Sequence, residues 1–232
     1  VRNTRAEFNV AGIEIENSYY ADVYNNIATN NTGGILVFDL PNLPKQGGKF
    51  VRIFQNKSFN NTADNFAPEG NIVGEVPRGT GIIIQANSNV EIFDNEIGDN
   101  DTVNIAVVTY GNETDDETYY PHPKSIQIHG NKFGPTGYNP DTSKGELAEI
   151  LYELSEGNMP DIFWDGLVPI SQMIFGQPED EKMIISNNGD ATFLAIKPIG
   201  YMLPFLDPAT LDINEFDGEI LPLAKVEFDE TF

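Results

Sequence analysis

A chain of 232 residues with 40% hydrophobic content is long enough for one large domain with a substantial core. Its 13 Lys and Arg stand against 36 Asp and Glu, a formal net charge of -23, which argues against nucleic acid and anionic membrane as partners and suits cations such as Ca²⁺ or a salty extracytoplasmic setting. With Cys 0 there is no disulfide framework, thiolate metal site or cysteine nucleophile, and no apolar run approaches the roughly 18 residues of a membrane-spanning helix.

The opening "VRNTRAEFNVAG" carries no secretory leader pattern and already lies inside a repeat. The expectation is therefore that further coils of the same protein, or a partner chain, cover the N-terminal edge. An apolar position followed three residues later by Asn recurs as Val23/Asn26, Ile53/Asn56, Ile92/Asn95 and Ile128/Asn131, with Asn3 in the matching place of the opening coil. The spacings are 23, 30, 39 and 36 residues. Ala21, Val51, Val90 and Ile126 stand two residues before each apolar position, so the pattern alternates with period two, as a short strand requires. A second strand carries Ile13/Ile15, Ile35/Val37, Ile82/Ile84 and Ile105/Val107, preceded by Gly12, Gly34 and Gly81 or by Asn104.

Short alternating strands broken by Asn and Gly predict stacked coils with strands paired in parallel: an all-β, right-handed parallel β-helix (a β-solenoid) over residues 1–135. The repeated Asn is expected to form an asparagine ladder from coil to coil, and the Gly positions to supply positive φ. Asn-x-Ser/Thr sequons at Asn30, Asn56, Asn60, Asn100 and Asn112 follow from Asn richness and are not read as glycan sites.

Three insertions break the repeat: Asp39–Phe50, Thr62–Thr80 and Tyr110–Ser125. The first and third leave the same bend and should stand side by side, walling a groove. Residues 136–232 are expected to form a C-terminal cap and wrapping tail with a short α-helix. In that helix Leu147, Ile150, Leu151 and Leu154 share a face, and Ser143 is the expected N-cap.

Residues between the inward pairs point outward. They build an aromatic column, Tyr24, Phe54, Phe93 and His129, a polar column, Asp22, Arg52, Glu91 and Gln127, and an apolar column, Leu36, Ile83 and Ala106. The aromatic column suits either sugar stacking or a docked cap segment; the apolar one calls for a covering segment or a partner.

Chemistry-bearing candidates are few. Tyr119, Tyr120 and His122 in "YYPHPK" could join Lys45, Lys49 and Arg78 around a uronate carboxylate, the grouping a polyuronate lyase or epimerase would use. Carboxylate pairs arise at Glu14/Glu16, Asp99/Asp101 and Asp115/Asp116, and "DNDTVN" and "GNETDDE" have the oxygen-rich character of Ca²⁺ loops without their full spacing. No catalytic residue or metal ligand is assigned on these patterns.

The runs "NVAGIEIENSYYADVYNNIATNNTGGILVFDLPNLPKQGG" and "FAPEGNIVGEVPRGTGIIIQANSNVEIFDNEI", with "NNGDATF" and "FDGEILPLAKVEF" near the end, resemble a family of bacterial exported parallel β-helix repeat proteins. That family is similar in repeat style to carbohydrate-binding and sugar-hydrolase β-helices, including mannuronan epimerases. The epimerase Asp-Pro-His-Asp motif is met here only by Tyr120-Pro121-His122-Pro123, which keeps Pro-His and lacks both acids. The resemblance implies an extracytoplasmic (periplasmic, secreted or cell-surface) protein that binds a polysaccharide. The alternatives are a polyuronate lyase or epimerase, and a structural subunit of a cell-surface assembly.

Overall fold

The computed structural model describes residues 1–68, 70–144, 146–203 and 205–227. The chain is mostly β, with three parallel-dominated sheets and few helices. Among the described residues the first sheet has seven strands: Ala11–Glu16, Gly33–Phe38, Thr80–Gln85, Val103–Val108, Ile162–Trp164, Phe193–Ile196 and the antiparallel Ala209–Thr210. The second has Tyr19–Tyr24, Lys49–Phe54, Ser88–Phe93, Lys124–His129 and Ile184–Ser186. The third has Arg5–Glu7, Ile27–Thr29, Lys57–Phe59, Glu96–Gly98 and Lys132–Phe133. As far as Phe133 the chain visits first, second and third sheet in rotation, and each round pairs in parallel with the next.

Register follows the apolar alternation. Ile13, Ile35, Ile82 and Ile105 align across the first sheet, as do Val23, Ile53, Ile92 and Ile128 across the second. These side chains join Ala6, Ala28 and Ile97 of the third sheet in one buried cluster. A slip of one residue would turn every one of them outward, so burial fixes the register.

The buried corners hold two asparagine ladders. Asn26, Asn56, Asn95, Asn131 and Asn188 each pass a side-chain hydrogen bond to the next, at 2.9, 3.0, 2.9 and 3.2 Å. A second ladder, absent from the sequence reading, links Asn9, Asn31, Asn61, Asn100 and Asn104 at 3.2, 3.1, 3.2 and 3.0 Å. Asn3 is not a rung. Arg5 aligns with Ile27, so Thr4 takes the rung position and donates its backbone N–H to Asn26.

The glycines also work differently from expectation. Gly12, Gly34 and Gly81 do not adopt positive φ; they are needed because neighbouring rounds come too close for a side chain. A Cβ on Gly34 would lie 2.0 Å from the Ser58 hydroxyl and 2.4 Å from the Gly81 carbonyl. Positive φ falls instead to columns such as Asn25, Gln55 and Asp94, and Asn30, Asn60 and Asp99. Asn and Asp tolerate that region better than most residues with a Cβ.

The sheets run past residue 135, the boundary drawn from sequence, because Ile162–Trp164, Ile184–Ser186 and Phe193–Ile196 extend the first and second sheets. Long intervening segments and strands of three or four residues hide the period there. Helix α1 (Glu146–Leu154) turns Leu147, Ile150, Leu151 and Leu154 onto the outward apolar face of the first sheet, over Leu36, Ile83 and Ala106. Its first residue is Glu146, and the Ser143 hydroxyl donates to Asp141 at 2.6 Å rather than capping it; Gly145 lies outside the described residues.

Candidate functional site

The first and third insertions meet, but they close on each other rather than leaving a groove. Asn42 donates its backbone N–H to Asp116 at 3.1 Å, the Gln46 amide donates to the same carboxylate, and the Tyr119 hydroxyl donates to the Asp39 carbonyl. The donors around Asp116, led by the Thr118 hydroxyl and then Gln46 and Asn42, hold its carboxyl well below the usual range. Burial, reinforced by Asp39 and Tyr110, pushes the Tyr119 hydroxyl far up, so this tyrosine is a structural donor and not a base.

What the paired insertions present is an edge. Tyr19, Lys49, Ser88 and Lys124 align across the start of the second sheet. Lys45 and Lys49 place their ammonium groups 5.8 and 5.4 Å from the Tyr19 ring centre, and Lys124 lies 5.0 Å from that of Tyr120. Tyr20 stacks on Phe50 at 5.0 Å and is 62% exposed; Tyr120 is 38% exposed. Cations held against aromatic rings on one row form a strip that could receive a chain of sugars at Lys45 and Lys49, whereas the Lys124 ammonium already meets the Glu181 carboxylate at 2.7 Å.

Behind this strip His122, a candidate from sequence, is joined through Thr109 to Asp165, which sequence reasoning missed. His122 places Nδ1 3.2 Å from the Thr109 hydroxyl, and Asp165 accepts the backbone N–H of Thr109 at 2.6 Å and of Leu167 at 3.1 Å. Burial pushes the Asp165 carboxyl up to about 6 and the His122 imidazole down. The signal in sequence was an acid closing the apolar run "FW" just before a Gly turn, "FWDGL". His122 is half-buried and engaged with Thr109.

Arg78 does not join the lysines. It sits at the opposite end of the first-sheet strand Thr80–Gln85 from the paired insertions, about 20 Å away at the rise of an extended strand. Its guanidinium meets Asp64 at 3.1 Å, Asp101 at 3.4 Å and the Asn139 carbonyl at 3.2 Å, stapling the second insertion down.

The aromatic column stacks as a unit. Tyr24 to Phe54 and Phe54 to Phe93 are each 4.9 Å apart at 8°, and Phe93 to His129 is 5.3 Å at 2°. The inner ring faces are spent on one another, so sugar stacking, one of the two readings open for this column, would have only ring edges and the two ends of the stack. Helix α1 lands elsewhere; the segment over this side is the tail, which bonds the adjacent polar column. Leu221 exchanges hydrogen bonds with the Gln127 amide at 2.6 and 2.7 Å, Leu223 donates to Glu91 at 2.9 Å, and Val226 to Asp22 at 3.4 Å.

Several acids of the Ca²⁺-like segments are engaged by protein donors: Asp99 by the Tyr138 hydroxyl at 3.1 Å, Asp101 by Arg78, and Asp116 as above. Glu14 and Glu16 lie exposed on the edge strand of the first sheet. Among the described residues no group of three acids or histidines is placed to hold a metal ion, and no helix is long and apolar enough to cross a membrane. Comparison with family models, curated proteins and solved structures returns no match.

Proposed function

We propose that this chain is an extracytoplasmic right-handed parallel β-helix that binds an acidic polysaccharide along the Lys45–Lys49–Lys124 edge. Three parallel sheets visited in rotation support a closed helix, and parallel crossovers are right-handed in nearly all known cases. The observation that carries the binding reading is the row itself, with Lys49 and Lys124 two strands apart and flanked by Tyr19, Tyr20, Phe50 and Tyr120. Strands repeat every ~4.8 Å, so the two lysines sit about 10 Å apart on a straight line, a spacing that suits carboxylates on alternate units of an extended polyuronate. Negative charge farther than ~8 Å is screened at physiological ionic strength, but Glu181 lies 2.7 Å from Lys124, so there a sugar carboxylate has to replace the Glu181 partner. A lyase or epimerase at this edge would need a free base, and His122 and Tyr119 are both committed to internal hydrogen bonds.

Affinity electrophoresis through gels containing alginate tests this. The native chain should be retarded, the double variant Lys49→Ala/Lys124→Ala should run freely, and Tyr119→Phe should be retarded like native. Native mobility unchanged by alginate, or a double variant retarded as strongly as native, would reject the site.

A further inference from the structure

The third sheet stops before the other two. Its last strand among the described residues is Lys132–Phe133, whereas the first sheet goes on through Ile162–Trp164 and Phe193–Ile196 and the second through Ile184–Ser186. Chain length accounts for the difference. Ile35 follows its ladder residue Asn26 by nine residues and Ile105 follows Asn95 by ten, but Phe193 follows Asn188 by five. Five residues cannot hold two corners and a strand between them, so the last round cuts straight back to the first sheet. The shortcut leaves a cleft of about 690 Å³ beside Lys132 and Phe133, with Met159, Asn188, Asp190 and Ala191 around it.

The cleft exposes a strand edge with a defined set of main-chain groups. Lys132 and Gly134 donate their N–H groups to the preceding round, to the Asn95 carbonyl at 2.8 Å and the Ile97 carbonyl at 2.7 Å. Alternation along a parallel strand then turns the Phe133 N–H and C=O to the open side. In earlier rounds the ladder carbonyl accepts from the next strand, Asn26 from Lys57 and Asn56 from Glu96, each at 2.9 Å. Among the described residues the Asn131 carbonyl has no such strand beside it. Side chains add a pattern. Lys57, Glu96 and Lys132 align on the outer face, with Lys57 2.6 Å from Glu96, so an acid next to Lys132 continues the alternation. Ala28, Ser58, Ile97 and Phe133 align on the inner face, which favours an apolar neighbour for Phe133. Asp161 is already engaged by the Thr192 N–H and the Asn104 amide, each at 2.9 Å, and Asp190 lies exposed where the chain has left the ladder.

We propose that the cleft takes up an extended peptide of another protein as an added parallel strand of the third sheet, with an acidic residue beside Lys132 and an apolar one beside Phe133. Strand addition of this kind draws affinity from main-chain bonds and specificity from alternate side chains. A second copy of this chain does not fit, because its opening round brings strands of all three sheets and two of those places are already taken here. The site uses none of the residues of the polysaccharide edge.

Fluorescence anisotropy with the labelled hexapeptide GDVSGS tests this on the native chain. Binding should saturate, and GKVSGS should bind about fivefold more weakly. Lys132→Glu should reverse that preference; should it not fold, Lys132→Ala should erase it. N-methylation of the peptide aspartate or serine, whose N–H groups face the edge, should cost about tenfold each, while N-methylation of the valine, whose N–H faces away, should cost little. Hydrogen exchange at the Phe133 amide, read by NMR, should slow when the peptide is bound. No saturable binding, equal loss at all three methylated positions, or an unprotected Phe133 amide would each overturn the proposal. So would protection of Phe133 that rises with chain concentration in the absence of peptide, which would assign the edge to a second copy.

Discussion

Replacing Asn95 by Ala tests whether the ladder holds the rounds together. The Asn95 side chain accepts from the Asn56 backbone N–H at 2.9 Å and from the Asn56 amide at 3.0 Å. It donates to Asn131 at 2.9 Å and to the Ile53 carbonyl at 2.9 Å. Two of those partners have other recourse: the Asn56 amide still reaches the Val23 carbonyl, and Asn131 still accepts the Asn95 backbone N–H. The Asn56 N–H and the Ile53 carbonyl lose their side-chain partner in a corner where Asn56 is 1% exposed. Each orphaned group costs about 1–3 kcal/mol, so the variant should lose about 2–6 kcal/mol. For a chain of this size that is a fall in Tm of about 10 °C, read by circular dichroism. Asn214→Ala is the control, since exposed Asn214 uses its side chain only to bond Asp212, and it should stay within about 0.5 kcal/mol of native. A loss below about 2 °C for Asn95→Ala, or an equal loss for Asn214→Ala, would show that the ladder is incidental.

Asp165 should make stability fall with rising pH. Its folded carboxyl, at about 6, lies above the ordinary 3.8, so its contribution is complete below 3.8 and is lost as pH climbs through 6, about 3 kcal/mol in total. His122 acts with the opposite sign: burial lowers it, so its contribution holds above the ordinary 6.5 and is lost as pH falls through its depressed folded value. Urea midpoints measured from about pH 4 to about pH 8 should show Asp165→Asn gaining on native as pH rises; parallel curves would count against the burial reading. Arg78→Ala should free the second insertion, raising proteolytic cleavage within residues 62–80 several-fold while native dichroism persists; unchanged cleavage would mean that Asp64, Asp101 and Asn139 are not needed as anchors.

The rounds up to residue 135 were legible because burial on one side enforces period two, and because one Asn per round is conspicuous. The second ladder was not, since Asn31, Asn61 and Asn100 sit among neighbouring Asn residues whose separate task, positive φ at Asn30 and Asn60, produces the same letter. The glycines misled for a related reason: Gly serves either torsion or close approach, and only the 2.0 Å distance from a Gly34 Cβ to Ser58 tells which. Of the candidate site, the meeting of the first and third insertions was legible from the bend they share, while the ring that each lysine lies against was not. Arg78 was misplaced because strand length separates the two ends of a round, and Asp165 belongs to a round whose period the long segments conceal.

The outer faces follow a different logic from the inner ones. The first sheet hides its apolar column beneath a helix whose own periodicity announced it, because both partners are recognised by apolar spacing. The second sheet is bound by a tail that has no such spacing, and its recognition runs through backbone N–H and carbonyl groups of Leu221, Leu223 and Val226. Main-chain groups are the same in every residue, so nothing in the tail marks it as a partner. The mark lies instead on the receiving side, where Gln127, Glu91 and Asp22 form a column of acceptors facing outward on consecutive or nearby rounds. Glu91 is only 2% exposed and also meets His129 at 3.0 Å, so a carboxylate in that place is accounted for by the Leu223 N–H and the imidazole together. A buried acid on an outward strand position thus has a physical reason only once the tail is present, and the polar column is better understood as a receptor for the chain's own C-terminal segment than as an external ligand site.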